Sequence, residues 1–162
     1  MTKVIEQLAS FTLPSYKEIP DVGLYLDQVS KYINSYLQDF KEMEVTPSMI
    51  SNYAKQKMIT RVNKKTYTRD QIATLILIVF AKTVLSMDHI KILLHMLNPD
   101  NTSIEKAYLF FQENLLSVLS SFQHSEVNEG KKTLTKQELM LKNTVIAIAH
   151  KMYLEQYFNH VN

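Results

Sequence analysis

The chain has 162 residues, of which 46% are hydrophobic, with two glycines, four prolines, no cysteine and a net charge of +2. A sandwich, a barrel or a phosphate-binding loop needs more glycine at its turns, so the composition argues against these folds and favours helices. The lack of cysteine excludes disulfides and thiolate metal sites, and no apolar run reaches the roughly 18 residues of a membrane helix.

The N-terminal residues predict an extended arm in a protein of the cytoplasm. Residues 1–20 lack the apolar core of a signal peptide. Together with the absence of cysteine, this indicates a reducing compartment and no association with a membrane. Pro14 and Pro20 disfavour helix for the residues before them, so we assign residues 1–20 to an extended arm, with a short frayed helix over residues 1–10 as the alternative for its first half.

Two helices with different faces are predicted next. Apolar residues recur at helical spacing over residues 22–40, with Asp21 as the N-cap. Thr46 and Pro47 predict the start of a second helix over 47–57, because threonine accepts from free amides and proline lacks only a donor that is not needed there. Its apolar face carries Ile50, Tyr53 and Ala54. The opposite face is formed by Ser48, Ser51, Asn52 and Lys55.

All the excess positive charge lies in residues 46–69, which contain six basic residues and no acidic one. A concentrated basic stretch attracts polyanions better than the same charge dispersed, although a solvated basic loop would look the same in the sequence. Two β-branched pieces, residues 58–62 and 66–67, flank Asn63, Lys64 and Lys65, which predicts a small hairpin, or wing, with a basic tip.

The remainder of the chain is predicted to be helical. Thr68 begins a capping box for an almost wholly apolar, buried helix over 69–83, and Ser86 caps a helix over 87–97. A turn at residues 98–101 marks a boundary, beyond which Thr102 or Ser103 caps a long helix. A polar loop over 123–133 leads to a last helix over 136–158, which Thr135 caps. The middle of the last helix is apolar on every side, so we expect a second subunit to cover it.

Residues 45–94 resemble the DNA-binding half of MerR-type regulators. The recognition-helix pattern V-S-x-x-x-L-R-Y-Y-x-x-x-G-L-I is similar to residues 45–59, and the wing end R-x-Y-S-x-x-x-(I/L) is similar to residues 65–72. The closing F-S-L-E-E-I-K-x-L-L is similar to residues 85–94. Ser51, Asn52 and Lys57 stand where that family has arginine, tyrosine and glycine, and a left-handed cap at Lys57 would be strained.

The whole chain is also similar to an uncharacterised family of Gram-positive bacterial proteins, a domain of unknown function. Such proteins carry the stretches that here read LPSYKEIP at residues 13–20 and LYLDQV at residues 24–29. The two resemblances imply an all-α fold with a small β wing. They predict an arm over 1–20, a winged helix-turn-helix over 21–98 and a two-helix C-terminal extension over 102–162 for dimerisation or effector binding.

These observations predict a dimeric, sequence-specific regulator that binds double-stranded DNA. We expect Asn52 to read a base, since an amide pairs bidentately with adenine. Tyr53 is interpreted as a core residue, and a core role for Tyr67 remains equally open. The predicted DNA-binding residues are Ser48, Ser51, Asn52, Lys55, Lys57, Arg61, Lys64, Lys65 and Tyr67.

Two alternatives to DNA binding use the C-terminal helices. The chain would be a non-enzymatic adaptor if those helices hold a different protein, or a sensor if Tyr108, Phe111, Tyr153 and Tyr157 line an effector pocket rather than the core. We expect no enzymatic activity, metal or cofactor, because the five histidines show no i, i+4 pair and two glycines leave no phosphate-cradling loop.

Overall fold

The computed structural model describes residues 2–60, 65–100, 104–124 and 134–161. These residues are mostly helical, which confirms the predicted all-α class with a small β element. The two strands are β1 (Leu24–Tyr25) and β2 (Thr66–Tyr67), and single 3-10 turns lie at Tyr16–Glu18 and Lys41–Met43. The helices are α1 (Thr2–Ala9), α2 (Leu26–Ser35), α3 (Pro47–Lys55), α4 (Arg69–Ala81), α5 (Met87–Leu97), α6 (Ile104–Ser121) and α7 (Lys136–His160).

Four helices begin at the residues that the capping signals predict. The hydroxyls of Thr46, Thr68, Ser86 and Thr135 each accept a hydrogen bond from the backbone N–H three residues later, at 3.1–3.3 Å. Each bond satisfies an amide that has no partner inside the helix. Because such caps involve only neighbouring residues, the sequence alone was sufficient to locate α3, α4, α5 and α7.

Helix α2 is shorter than predicted, and Asp21 is not its N-cap. The helix begins at Leu26, directly after β1, and ends at Ser35. Gly23 has a φ of 77°, a left-handed conformation that turns the chain into β1, and a Cβ placed there would lie 3.0 Å from Thr66 Oγ1. The strand pairing therefore uses residues that helical periodicity had assigned to α2.

The predicted hairpin is wrong in its pairing. Strand β2 lies at the predicted residues, but it pairs antiparallel with β1, with Leu24 opposite Tyr67. Met58 and Ile59 form no strand and are both buried. Consecutive strand residues face opposite sides of a sheet, so two adjacent buried side chains are incompatible with a half-exposed wing strand. Residues 61–64, which complete the predicted wing, lie outside the described residues.

Helix α4 is the centre of the fold, as its composition predicts. Eight of its residues, from Gln71 to Val79, are buried. Helix α6 packs along α4 and also contacts α1. It supplies Ile104 and Tyr108 to the core that α4 organises. The first turns of α6 therefore share one hydrophobic core with the helices that precede the turn at residues 98–101.

The N-terminal segment is fastened to this core through its backbone. The Tyr108 hydroxyl donates to the carbonyl oxygen of Pro14 at 2.6 Å, and the Gln112 amide donates to that of Leu13 at 3.0 Å. Leu13 and Ile19 are buried. The two carbonyl groups would otherwise lack partners away from water, so α6 determines where the segment crosses the core.

Helix α7 is attached mainly through α5 and exposes much apolar surface. The His89 ring stacks on Phe158 with centroids 5.5 Å apart, and its Nε2 lies 2.9 Å from Oδ1 of Asn159. Large apolar side chains at least 40% exposed on or beside α7 are Leu134, Leu141, Val145, Ile146, Met152, Tyr153, Tyr157 and Val161.

No helix within the described ranges is long and apolar enough to cross a lipid bilayer.

Replacing Tyr108 with phenylalanine should lower the free energy of unfolding by about 1 kcal/mol. The ring would still fill its site, but the buried carbonyl of Pro14 would lose its donor. Urea denaturation measures the change, with Tyr153→Phe as the matched control because Tyr153 is 68% exposed. Equal stability of the Tyr108 and Tyr153 variants would contradict the role assigned to the Tyr108 hydroxyl.

Candidate nucleic-acid interface

A side chain of α2 fixes the position of α3. The Asn34 amide donates to the carbonyl oxygen of Val45 at 2.8 Å and accepts from the Val45 N–H at 2.9 Å. Val45 is buried and immediately precedes the N-cap Thr46. Because one amide satisfies both backbone groups of Val45, α2 and the start of α3 are held in register across the intervening loop.

The two faces of α3 separate as the sequence predicts. Ile50 and Tyr53 are buried, at 0% and 4% exposure, which confirms the core interpretation of Tyr53. Ser48, Asn52 and Lys55 are exposed, and Ser51 is half-buried. Small polar side chains therefore project from a helix whose other face is anchored in the core.

Helix α3 ends at Lys55, two residues earlier than predicted, and Lys57 beyond it adopts a left-handed conformation. The Lys57 N–H donates to the carbonyl oxygen of Ala54 at 3.0 Å, and the Met58 N–H donates to that of Tyr53 at 3.1 Å. These two bonds define a Schellman motif, in which the residue after the C-cap is usually glycine. Lys57 has a φ of 58°, and among the described residues it is the one non-glycine with positive φ. The predicted strain is therefore present.

The segment that follows α3 is tied to the start of α4. Gln71 is buried, and its amide nitrogen donates to the carbonyl oxygen of Thr60 at 2.6 Å, while its Oε1 accepts from the Thr68 N–H at 2.8 Å. Residues 60–68, which we call the basic segment, are thereby anchored on α4 at both ends. Arg61 and Lys64, two of the predicted site residues, lie outside the described residues.

A trough of about 380 Å³ separates α3 from β2. Ser51 and Lys55 line one side and Lys65 and Tyr67 line the other, with no acidic residue in its lining. Lys65 is exposed and Tyr67 is half-buried. Burial raises the pKa of the Tyr67 hydroxyl, so the group is neutral at physiological pH and can donate a hydrogen bond. The structure thus brings four predicted site residues together around one depression.

Arg69 belongs to the basic stretch in the sequence but not to this surface. Its Nε donates to the carbonyl oxygen of Ile19 at 2.8 Å, and its Nη2 donates to that of Lys17 at 3.1 Å. Its guanidinium also lies 3.8 Å from the Asp21 carboxylate and 5.5 Å from the centre of the Tyr16 ring. The charge of Arg69 is therefore directed toward the N-terminal segment, which the local charge count did not reveal.

The four aromatic residues considered for an effector pocket do not come together. Tyr108 is fully buried against Pro14, and Phe111 packs on the core beside Phe80. Tyr153 and Tyr157 are 68% and 41% exposed on α7. The core interpretation holds for the α6 pair, and the α7 pair belongs to an exposed apolar face.

Replacing Lys57 with glycine should raise the free energy of unfolding by about 1 kcal/mol. A left-handed residue with a Cβ costs about 1–2 kcal/mol, part of which the greater freedom of glycine in the unfolded chain offsets. Thermal and urea unfolding measure the change. Lys55→Gly is the matched control, and it should destabilise by about 1 kcal/mol because Lys55 has helical geometry. A loss of stability in both variants would contradict the strain at Lys57.

The comparisons with known proteins identify a family. No curated protein and no solved structure matches the chain. Residues 14–111 match a family model described as Domain of unknown function (DUF1836). The match includes α2 to α5, both strands and the part of α6 that packs on α4. Because it spans more than half of the sequence, the chain belongs to this domain-of-unknown-function family.

Proposed function

We propose that the protein is a cytoplasmic DNA-binding transcriptional regulator of the MerR-like winged helix-turn-helix type. The observation that carries the proposal is the exposed polar face of α3 beside a trough lined by Lys55 and Lys65. A helix anchored by one face and polar on the other suits insertion into the major groove, and flanking lysines suit phosphate contacts.

In this proposal, α3 reads bases and the residues around it bind the backbone. Asn52 is exposed and presents an amide that can pair bidentately with adenine, while Ser48 and Ser51 supply smaller polar groups. Lys55 lies at the end of the same face. The residues assigned to phosphates are Lys57, Arg61, Lys64, Lys65 and Tyr67, which supply affinity and register rather than sequence preference.

The β1–β2 pairing supports the winged arrangement. It joins the residues before α2 to the C-terminal end of the basic segment, so α2, α3 and that segment are held together. The connection from Ser35 to Pro47 is longer than the three- or four-residue turn usual in a helix-turn-helix. The bonds from Asn34 to Val45 compensate by fixing α3 directly against α2.

We also propose that the protein is a homodimer that pairs through its C-terminal helices. The apolar side chains exposed along α7 include Leu141, Val145 and Met152, which are spaced at four and seven residues and lie on one side of the helix. Exposed apolar patches of this kind mark interaction surfaces. Two copies would double the number of phosphate contacts and impose two-fold symmetry on the DNA site.

The same apolar face favours one alternative function. If the apolar face of α7 binds a different protein, the chain is a non-enzymatic adaptor built on an inherited helix-turn-helix, and α3 does not bind DNA. An adaptor would be monomeric when pure and would show no salt-dependent DNA binding. The two measurements below therefore separate the two functions.

The double variant Lys55→Ala, Lys65→Ala should bind DNA more weakly and with less dependence on salt. Each phosphate contact contributes about 0.9 to the slope of log affinity against log salt concentration, so the loss of the Lys65 contact should lower the slope by about 1, while the loss of Lys55 from the groove weakens binding further. The measurement is fluorescence anisotropy with a random-sequence duplex between about 50 and 200 mM salt.

Two controls make the salt series specific. Lys106→Ala, Lys136→Ala removes two exposed lysines from α6 and α7 and should leave the slope unchanged. Asn52→Ala removes no charge and should also preserve the slope. No binding by the wild-type protein at the lowest salt, or an equal fall of the slope in both lysine variants, would contradict the proposed interface.

Purified wild-type protein should have twice the 18.9 kDa chain mass by light scattering at micromolar concentration. Val145→Glu, Met152→Glu should be monomeric and remain folded, because these side chains are 54% and 61% exposed. Val22→Glu, at an 86% exposed position outside the C-terminal helices, should remain dimeric. A monomeric wild-type protein, or a dimer that survives both α7 substitutions, would contradict pairing through α7.

A further inference from the structure

A second and larger depression lies on the other side of the α3 terminus. It has a volume of about 600 Å³ and is bounded by the end of α3, the chain that follows it and the C-terminal half of α5. This volume falls within the range of about 300–1,000 Å³ that is usual for small-molecule sites. We refer to it as the α3–α5 cleft.

The chemistry of the α3–α5 cleft is cationic on its rim and apolar on its wall. Lys55 and Lys57 contribute from the α3 side, and Lys91 and His95 contribute from α5. Met58 and Leu94 are among the apolar residues of the wall, and the lining contributed by the described residues contains no acidic side chain. Lys91 Nζ lies 3.8 Å from Asp88, but that carboxylate is 89% exposed and does not line the cleft.

We propose that the α3–α5 cleft binds a small organic phosphate with an aromatic or similarly apolar group. Three ammonium groups and an imidazole line the same cleft from its two sides, and such groups suit a phosphate. The apolar wall suits the remainder of such a molecule, which would be desolvated against Met58 and Leu94. A DNA backbone would satisfy the lysines but would not enter the cleft deeply enough to use this wall.

Occupation of the cleft would affect the DNA surface directly. Lys55 and Lys57 belong both to the cleft and to the proposed DNA-contacting residues, so a bound organic phosphate would compete with DNA for them. Lys57 also has the strained left-handed conformation that follows α3. A ligand bound to Lys57 would therefore act on the end of the recognition helix. This regulatory consequence rests on the proposed function, whereas the ligand site does not.

The site is tested by titrating the DNA-free protein with phenyl phosphate and monitoring the backbone amides by two-dimensional NMR. We expect saturable shifts in residues 54–60 and 91–98, with weaker binding of inorganic phosphate and of phenol. Lys91→Ala should raise the Kd for phenyl phosphate about fivefold, as the loss of one partly exposed charge contact implies. Lys91→Arg should restore binding, and Lys106→Ala should not change it.

The outcomes decide the proposal whether or not the protein binds DNA. Saturable shifts at these residues that weaken in Lys91→Ala would support the site. An absence of saturable shifts, an unchanged Kd in Lys91→Ala, or equal affinity for inorganic phosphate would overturn it. Because Lys91 lies outside the proposed DNA-contacting residues, a failure of DNA binding in the salt series would leave this result unaffected.

Discussion

Arg69, Asp70 and Gln71 are the first three residues of α4, and together they bind two separate parts of the chain. Arg69 donates to the backbone of residues 17 and 19, Asp70 accepts from the Tyr16 hydroxyl, and Gln71 donates to the carbonyl oxygen of Thr60. Burial and the hydrogen bond to Asp70 raise the pKa of Tyr16 above its usual range, which keeps its hydroxyl protonated as a donor. The N-terminal segment and the end of the α3 region therefore meet at one helix terminus.

This arrangement explains why the candidate interface has a firm base despite short elements. Strands β1 and β2 contain two residues each and would not be stable alone. They persist because β1 leads into α2 and β2 leads into α4, two helices that contribute to the same core. The polar face of α3 is similarly supported from below by Ile50 and Tyr53 and from the side by Asn34. The polar face of α3 is thus held in an exposed position because the opposite face of the helix is anchored in the core.

The proposed activities use different sides of the molecule and meet at the end of α3. The trough between α3 and β2 contains Lys65, the α3–α5 cleft contains Lys91, and Lys55 lines both depressions. The apolar face of α7 lies on a helix whose main attachment is to α5, through His89, Phe158 and Asn159. Helix α5 consequently contacts both the ligand cleft and the helix proposed to join two subunits. A chemical signal in the cleft would act near both surfaces.

The sequence by itself determined the local features of the protein. Capping by Thr46, Thr68, Ser86 and Thr135, the buried character of α4 and the two faces of α3 all depend on residues within one or two helical turns. Such interactions have a fixed spacing in the chain, so pattern and composition are sufficient to predict them. The left-handed conformation of Lys57 was indicated instead by the resemblance to the MerR-type pattern, which has a glycine at this position.

Only the tertiary structure decided which distant segments pair. Strand β2 pairs with β1, and residues 58–60 form no strand. Arg69 contacts the N-terminal segment rather than the basic surface, and the Tyr108 hydroxyl donates to Pro14 across 94 positions of sequence. A hydrogen bond between distant residues has no characteristic spacing, and the same donor can satisfy many acceptors. The α3–α5 cleft could not be predicted from the sequence for the same reason, because it forms only where the end of α3 and the C-terminal half of α5 face each other.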